Sequence, residues 1–204
     1  LLNYSLVSKI NKRYHQLIKN LCEKLNIKAK GFYLDAGCGN GSHWKDADLE
    51  GLIGIDINYK ALQVMHDRYP MIPLIEGDIC CLPFASSSLD GIFALAVLEH
   101  LYYLEHAIDE IHRVLKPDGK LVVSIPTEGG YFWNIGRKLT TDRYFSRKYG
   151  INHAHVARIT HCNTAKKVIK CLYAKFDPLQ ERYDPFMVPL LDVNLFFYGI
   201  FMKK

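Results

Sequence analysis

The stretch Leu34-Asp35-Ala36-Gly37-Cys38-Gly39-Asn40-Gly41 constrains this chain more than any other. Residues 31–35 read as a buried strand, and glycines then occupy alternate positions. Glycine accepts positive φ and carries no Cβ that would hold a ligand away from the backbone. A strand running into such a loop is the opening of a nucleotide-binding α/β unit. The glycines alone would mark any tight turn. Asp35 sharpens the reading, because a carboxylate ending an apolar strand is costly to bury unless something uses it. A second strand, residues 52–56, also ends in an acid, Asp56.

The rest of the chain continues the alternation. Apolar residues at steps of three and four predict a helix over residues 4–25, with Leu6, Ile10, Tyr14, Leu17, Leu21 and Leu25 on one face. The segment from Ser42 to Gly51 leaves room only for a short helix. Asn58 can cap a helix over residues 59–68. Strand 3 falls at 71–76 and strand 4 at 90–96, a continuous apolar run of the kind a central parallel strand needs. A helix at 105–115 is marked off by Lys116-Pro117-Asp118-Gly119, and strand 5 follows at 120–125. Helix signals return at 164–172, and the ending suggests two last strands. Strands alternating with helices predict a parallel sheet with helices on both faces.

With 204 residues the chain is long enough for one domain with a sizeable core. Hydrophobic residues make up 49% and charged residues 23%, which argues against disorder. The net charge of +5 permits an anionic substrate or a nucleic acid and demands neither. The six cysteines contain no Cys-x-x-Cys pair, which fits reduced thiols and a cytoplasmic location. Lys9, Lys12, Arg13 and Lys19 break up the first twenty residues, so no signal peptide is expected. The apolar tail from Phe186 to Met202 is interrupted by Pro189, Asp192 and Asn194. It reads as sheet strands and not as a membrane span.

Several ordered motifs resemble the class I S-adenosylmethionine-dependent methyltransferases. Asp35 to Gly41 is similar to their first motif and Gly54-Ile55-Asp56-Ile57-Asn58 to their second. The similarity continues through Glu76-Gly77-Asp78-Ile79, Leu89-Asp90-Gly91-Ile92-Phe93, Val97-Leu98-Glu99-His100-Leu101 and Arg113 to Lys120. It is strong over about residues 30–126 and loose elsewhere. The resemblance implies a doubly wound, mostly parallel seven-stranded sheet with an antiparallel last strand. It also implies one methyltransferase domain over residues 1–204, in which 1–28 form a helical cap and 127–162 an acceptor-site lid. The cofactor would be S-adenosyl-L-methionine and the partner a small-molecule methyl acceptor.

On this reading Gly37, Cys38, Gly39 and Gly41 let the backbone approach the cofactor. Asp35 lies near its charged amino-acid end, or is a strand-end carboxylate and no more. Asp56, followed by Ile57, accepts from the ribose hydroxyls, or caps the helix at Tyr59. Asp78 accepts from the adenine amino group with Ile79 beside the ring, or is a turn aspartate. A dinucleotide dehydrogenase fits less well, since Ser42 stands where the third fingerprint glycine belongs.

Methyl transfer to a group that holds a proton at neutral pH needs a base. His100, after strand 4, and His155 are the catalytic candidates. Asn152 to Thr160 resembles a His-Val-x-x-x-Thr element of some family members. Tyr131, Arg143 and His153 fall in an aromatic, basic stretch that suits a planar or anionic small molecule, or an ordinary surface helix. No ligand pattern completes a metal site around His153, His155 and His161, so no metal is expected. The charges of the stretch are too few and scattered to prefer nucleic acid. An RNA-directed methyltransferase, or a cofactor-binding module without catalysis, remains the alternative.

Overall fold

The computed structural model describes residues 31–44, 50–127 and 161–204, together with Lys12, Arg13, Gln16, Asn20, Gly130, Ile135 and Lys138. Seven strands form one sheet: β1 (Tyr33–Ala36), β2 (Leu52–Asp56), β3 (Leu74–Glu76), β4 (Leu89–Leu95), β5 (Leu115–Pro126), β6 (Phe176–Asp184) and β7 (Phe196–Lys203). Their order is β3-β2-β1-β4-β5-β7-β6. The first five strands pair in parallel, and β7 runs antiparallel to both β5 and β6. The expected sheet is therefore present, with its antiparallel last strand inserted between β5 and β6.

Helices α1 (Tyr59–Arg68), α2 (Leu104–Val114) and α3 (Ala165–Lys175) pack against the sheet. Asn58 caps α1, its side chain accepting from the Ala61 amide, and Thr164 caps α3 by accepting from the Lys167 amide. Each such cap is worth about 1 kcal/mol. In α2 the buried residues are Leu104, Ala107, Ile108, Ile111 and Val114, a stripe at helical spacing that seats it on the sheet.

The period of two along the strands divides the core between the two faces. Leu34, Ile92, Ala94, Leu121, Val123, Phe197 and Phe201 pack on one side with α2 and α3. Tyr33, Phe93, Leu95, Val122, Tyr198 and Ile200 pack on the other with Leu62 and Met65 of α1. This alternation sends Asp35 to the α1 face, where it has no exposure to solvent.

Two boundaries differ from the sequence reading. Strand β3 begins only at Leu74, because Pro70 to Pro73 form the turn that enters it. Lys116 to Gly119 lie inside β5 and do not form a separate helix stop. Leu89 pairs with Leu115 and Gly91 with Lys120, so five steps along β5 match two along β4. The excess is taken up as a bulge, which is where a strand tolerates proline and glycine.

Among the described residues no helix is long and apolar enough to cross a membrane.

Candidate cofactor and acceptor site

Strand order reverses its direction of growth between β1 and β4. In open α/β sheets a ligand lies there, outside the carboxyl ends of the strands. Loops from β1, β2, β3 and β4 all reach this edge, and each carries residues singled out by sequence.

The loop after β1 is pinned by backbone bonds. The amides of Gly37 and Cys38 both donate to the Ile55 carbonyl, at 2.8 and 3.1 Å. Gly37, Gly39 and Gly41 all have positive φ. Their reasons for being glycine differ. A Cβ on Gly37 would stand 2.4 Å from Val97 Cγ2, and one on Gly41 would stand 2.9 Å from Met65. These two are required by protein packing. A Cβ on Gly39 would meet nothing within 4 Å, so the space over it is open to a ligand. Arg68 Nη1 donates to the Asn40 carbonyl at 3.0 Å and ties the loop to the end of α1.

Asp56 ends β2 beneath this loop. Its Oδ2 accepts from the Gly39 amide at 2.7 Å and its Oδ1 from the Asn58 amide at 2.8 Å. It is not the cap of α1; Asn58 is. Each carboxylate oxygen accepts one bond here and has a lone pair for a second, so a diol can still be held. Ile57 beside it is 73% exposed, an apolar side chain standing open at the sheet edge.

Asp78 follows β3. Its side chain accepts from the Cys80 amide at 2.8 Å and caps the short turn Ile79–Cys81. Arg113 and Glu110 of α2 brace the next residues. Glu110 accepts from the Leu82 amide, and Arg113 donates to the carbonyls of Leu82 and Phe84. Cys38 and Ile79 are turned inward, each into a core cluster. Their side chains are packing, and burial raises the Cys38 thiol pKa beyond the usual range. What they can offer a ligand is backbone.

Asp35 is held by a residue the sequence reading missed. Trp44, in the 3-10 turn Ser42–Trp44, donates its indole N–H to Asp35 Oδ2 at 2.6 Å and packs edge-on against Phe93. Asp35 Oδ1 is buried with no hydrogen-bond partner among the described residues. Burial pushes the Asp35 carboxyl up to about 7; the indole bond opposes this, and the nearby Asp56 charge adds to it. An aromatic N–H donor shortly after a glycine loop was the available signal. Nothing local tied it to Asp35.

The loop after β4 closes the far side through Val97, which abuts Gly37. His100 ends the 3-10 turn Leu98–His100, and its ring meets that of His161 edge-on at 4.3 Å between centroids. Glu99 is buried beside it, with Oε1 3.9 Å from His100 Nε2. Thr127 leaves β5 at the same edge and is itself buried, its hydroxyl donating to the Asn194 carbonyl. Tyr131, Arg143, His153 and His155 lie outside the described residues, as do most of 1–28 and 127–162. Among the described residues no group of three or more histidines, cysteines and acids converges as a metal site. A cavity of about 610 Å³ lined by Phe32, Leu52, Tyr69 and Met71 lies at the opposite, amino end of the strands, away from these loops.

The donor set fits S-adenosylmethionine. An orphaned buried carboxylate oxygen on Asp35 suits an ammonium group. The open space over Gly39 suits a ligand backbone, and Asp56 suits a diol. Ile57 and Asp78 together suit a purine, one by its apolar face and one by accepting a hydrogen bond. Fold and site resemble those of class I S-adenosylmethionine-dependent methyltransferases.

The comparisons agree. A family described as "Methyltransferase domain" matches residues 34–123. A "probable S-adenosylmethionine-dependent methyltransferase" of Mycolicibacterium smegmatis is 34% identical over 98 residues, covering 46% of this chain and 37% of that protein. The malonyl-acyl-carrier-protein O-methyltransferase of Erwinia pyrifoliae is 32% identical over 122 residues, covering 55% and 46%. The chain thus spans less than half the length of these relatives. The N-methyltransferase NodS from Bradyrhizobium japonicum, solved with S-adenosyl-L-homocysteine, superposes with a TM-score of 0.64. It is 20% identical and covers 94% of this chain and 86% of that one, a likeness of fold.

Proposed function

We propose that the chain transfers a methyl group from S-adenosylmethionine to a small-molecule acceptor that is anionic or aromatic. What supports this is that Asp35 and Asp56 lie at the carboxyl ends of two neighbouring parallel strands and Asp78 just after a third, while Asp56 holds the Gly39 amide and a Cβ on Gly39 would meet nothing within 4 Å. When bound, the cofactor supplies a methyl carbon already activated by a sulfonium charge. The protein's part is alignment, which can lower a barrier by roughly 7–11 kcal/mol. Asp35 would hold the ammonium end, Asp56 the ribose and Asp78 the adenine amino group.

The acceptor would enter from the side bordered by the loop after β4. His100 would take a proton from an acceptor that carries one. One relative is by its name a malonyl-acyl-carrier-protein O-methyltransferase, and one solved neighbour an N-methyltransferase. The aromatic and basic residues of 127–150, among them Tyr131, Arg143 and Arg147, support an anionic or planar acceptor; His153 and His155 follow in the same segment. A cytoplasmic setting rests on a cysteine pattern that contains no Cys-x-x-Cys pair.

Calorimetry with S-adenosylmethionine, S-adenosylhomocysteine and NAD tests the cofactor. An acceptor screen that follows S-adenosylhomocysteine release tests the reaction. Tight NAD binding without response to the other two would overturn the reading.

A further inference from the structure

The loop that carries His100 is held by one residue from a distant part of the chain. Asn163 stands just ahead of α3 and is only 4% exposed. Its side-chain nitrogen donates to the Leu101 carbonyl at 2.6 Å and to the Leu98 carbonyl at 3.3 Å. Its backbone amide donates to the Glu99 carbonyl at 3.0 Å. Three backbone carbonyls around His100 therefore share one partner. Lys167, one helical turn further on, donates from Nζ to Asn163 Oδ1 at 2.9 Å. A cation on that side fixes which end of the amide faces the loop, since only the nitrogen can serve the carbonyls.

We propose that Asn163 is a positioning residue for the acceptor side of the site: it fixes the turn Leu98–Leu101 and with it the direction of the His100 ring. This rests on the reading of the loop after β4 as the acceptor side. Lys167 Nζ also lies 3.8 Å from Glu105 Oε1, but its shorter bond is to Asn163, and a buried amide that merely satisfied stray carbonyls would not contact three residues of one short turn. Asn163 also follows His161 closely, so one segment both clamps the loop and sets a ring against His100. The couplings span more than sixty residues of sequence, which makes the turn a product of tertiary packing.

Asn163→Asp keeps the shape and replaces the donor with an oxygen facing two carbonyl oxygens. Lys167→Met keeps Asn163 and frees its amide to flip. The full chain is examined by hydrogen exchange at the amides of His100 and Leu101, by the NMR shifts of the His100 ring, and by calorimetric binding of S-adenosylhomocysteine. For Asn163→Asp, exchange at the two amides should rise at least tenfold and the His100 ring signals should move. Affinity for S-adenosylhomocysteine should stay within twofold of wild type. Lys167→Met should move the same signals in the same direction by less. With a substrate from the acceptor screen, kcat should fall in both while the cofactor KM holds. Unchanged exchange and ring shifts in a folded Asn163→Asp would overturn the proposal, and in Lys167→Met would do so if the first variant does not fold. Failure of the wild type to bind S-adenosylhomocysteine would sink the methyltransferase reading instead, leaving the exchange result to judge Asn163.

Discussion

Trp44 donates its indole N–H to Asp35 Oδ2 at 2.6 Å, and both side chains are buried. The bond leaves Asp35 Oδ1 as the free end of the carboxylate, at the edge where the glycine loop begins. A charged hydrogen-bond acceptor held this way is oriented before any ligand arrives.

Trp44→Phe keeps most of the packing on Phe93 and removes the donor. Bonds to a charged acceptor are worth roughly 1.5–3 kcal/mol. S-Adenosylhomocysteine should therefore bind about tenfold or more weakly, as read by calorimetry, with the fold retained by circular dichroism. Wild-type affinity would mean that the indole bond does not orient Asp35 for the ligand.

Ligand affinity should depend on pH through Asp35. With its carboxyl pushed up to about 7, the group is mostly neutral at pH 6 and mostly ionised at pH 8. An ammonium ligand prefers the ionised form, so binding at pH 6 should be roughly tenfold weaker than at pH 8. Asp35→Asn should flatten this slope. A slope that survives in Asp35→Asn would assign the titration to another group.

The same shift sets a stability difference. The folded-state pKa lies above the unfolded value, so Asp35 favours folding when protonated. That contribution is fully present below about pH 4 and is lost as pH rises through 7. At pH 8, Asp35→Asn should be more stable than wild type by up to about 4 kcal/mol, with the difference falling below about 1 kcal/mol at pH 4. Denaturant melts at both values check this. Equal stability at pH 8 would mean Asp35 is better solvated than its burial implies.

Asp56→Ala should weaken S-adenosylhomocysteine binding at least tenfold. It removes the acceptor proposed for the ribose and also the anchor of the Gly39 amide. Binding should drop without loss of the cooperative melt. Unchanged affinity in the folded variant would leave Asp56 as a loop anchor alone.

Gly39→Val and Gly37→Val should separate ligand space from packing. At Gly39 the added side chain meets open space at φ +52°, so stability should fall only by the left-handed backbone cost of roughly 1–2 kcal/mol while binding is lost. At Gly37 it collides with Val97, and the protein should be far less stable or unfolded. Normal ligand binding by Gly39→Val would make the open space above the loop incidental.

The sheet was legible because its signals are local. Strand β2 and helix α1 fall where the apolar run and the Asn58 cap put them, and β1, β4 and α2 within two residues of expectation. Asp35, Asp56 and Asp78 were readable as a set because each ends or follows a strand, and parallel strands bring their carboxyl ends to one edge. Lys116 to Gly119 misled, since turn residues look alike in a helix stop and in a bulge.

The sequence by itself determined the order of elements, the glycine loop and the strand-end acids, because periodicity and turn chemistry act among near neighbours. Only the tertiary structure decided what surrounds each acid. Trp44 reaches Asp35 through a fold of the loop, and Asn163 reaches Leu98 and Leu101 from more than sixty residues away. Cys38 and Ile79 turned inward while Ile57 stayed out, a choice made by which face of the sheet or turn the core occupies. Protonation of Asp35 follows from the same cause. Desolvation depends on every chain segment that excludes water from a site, and no contiguous stretch of sequence carries that sum.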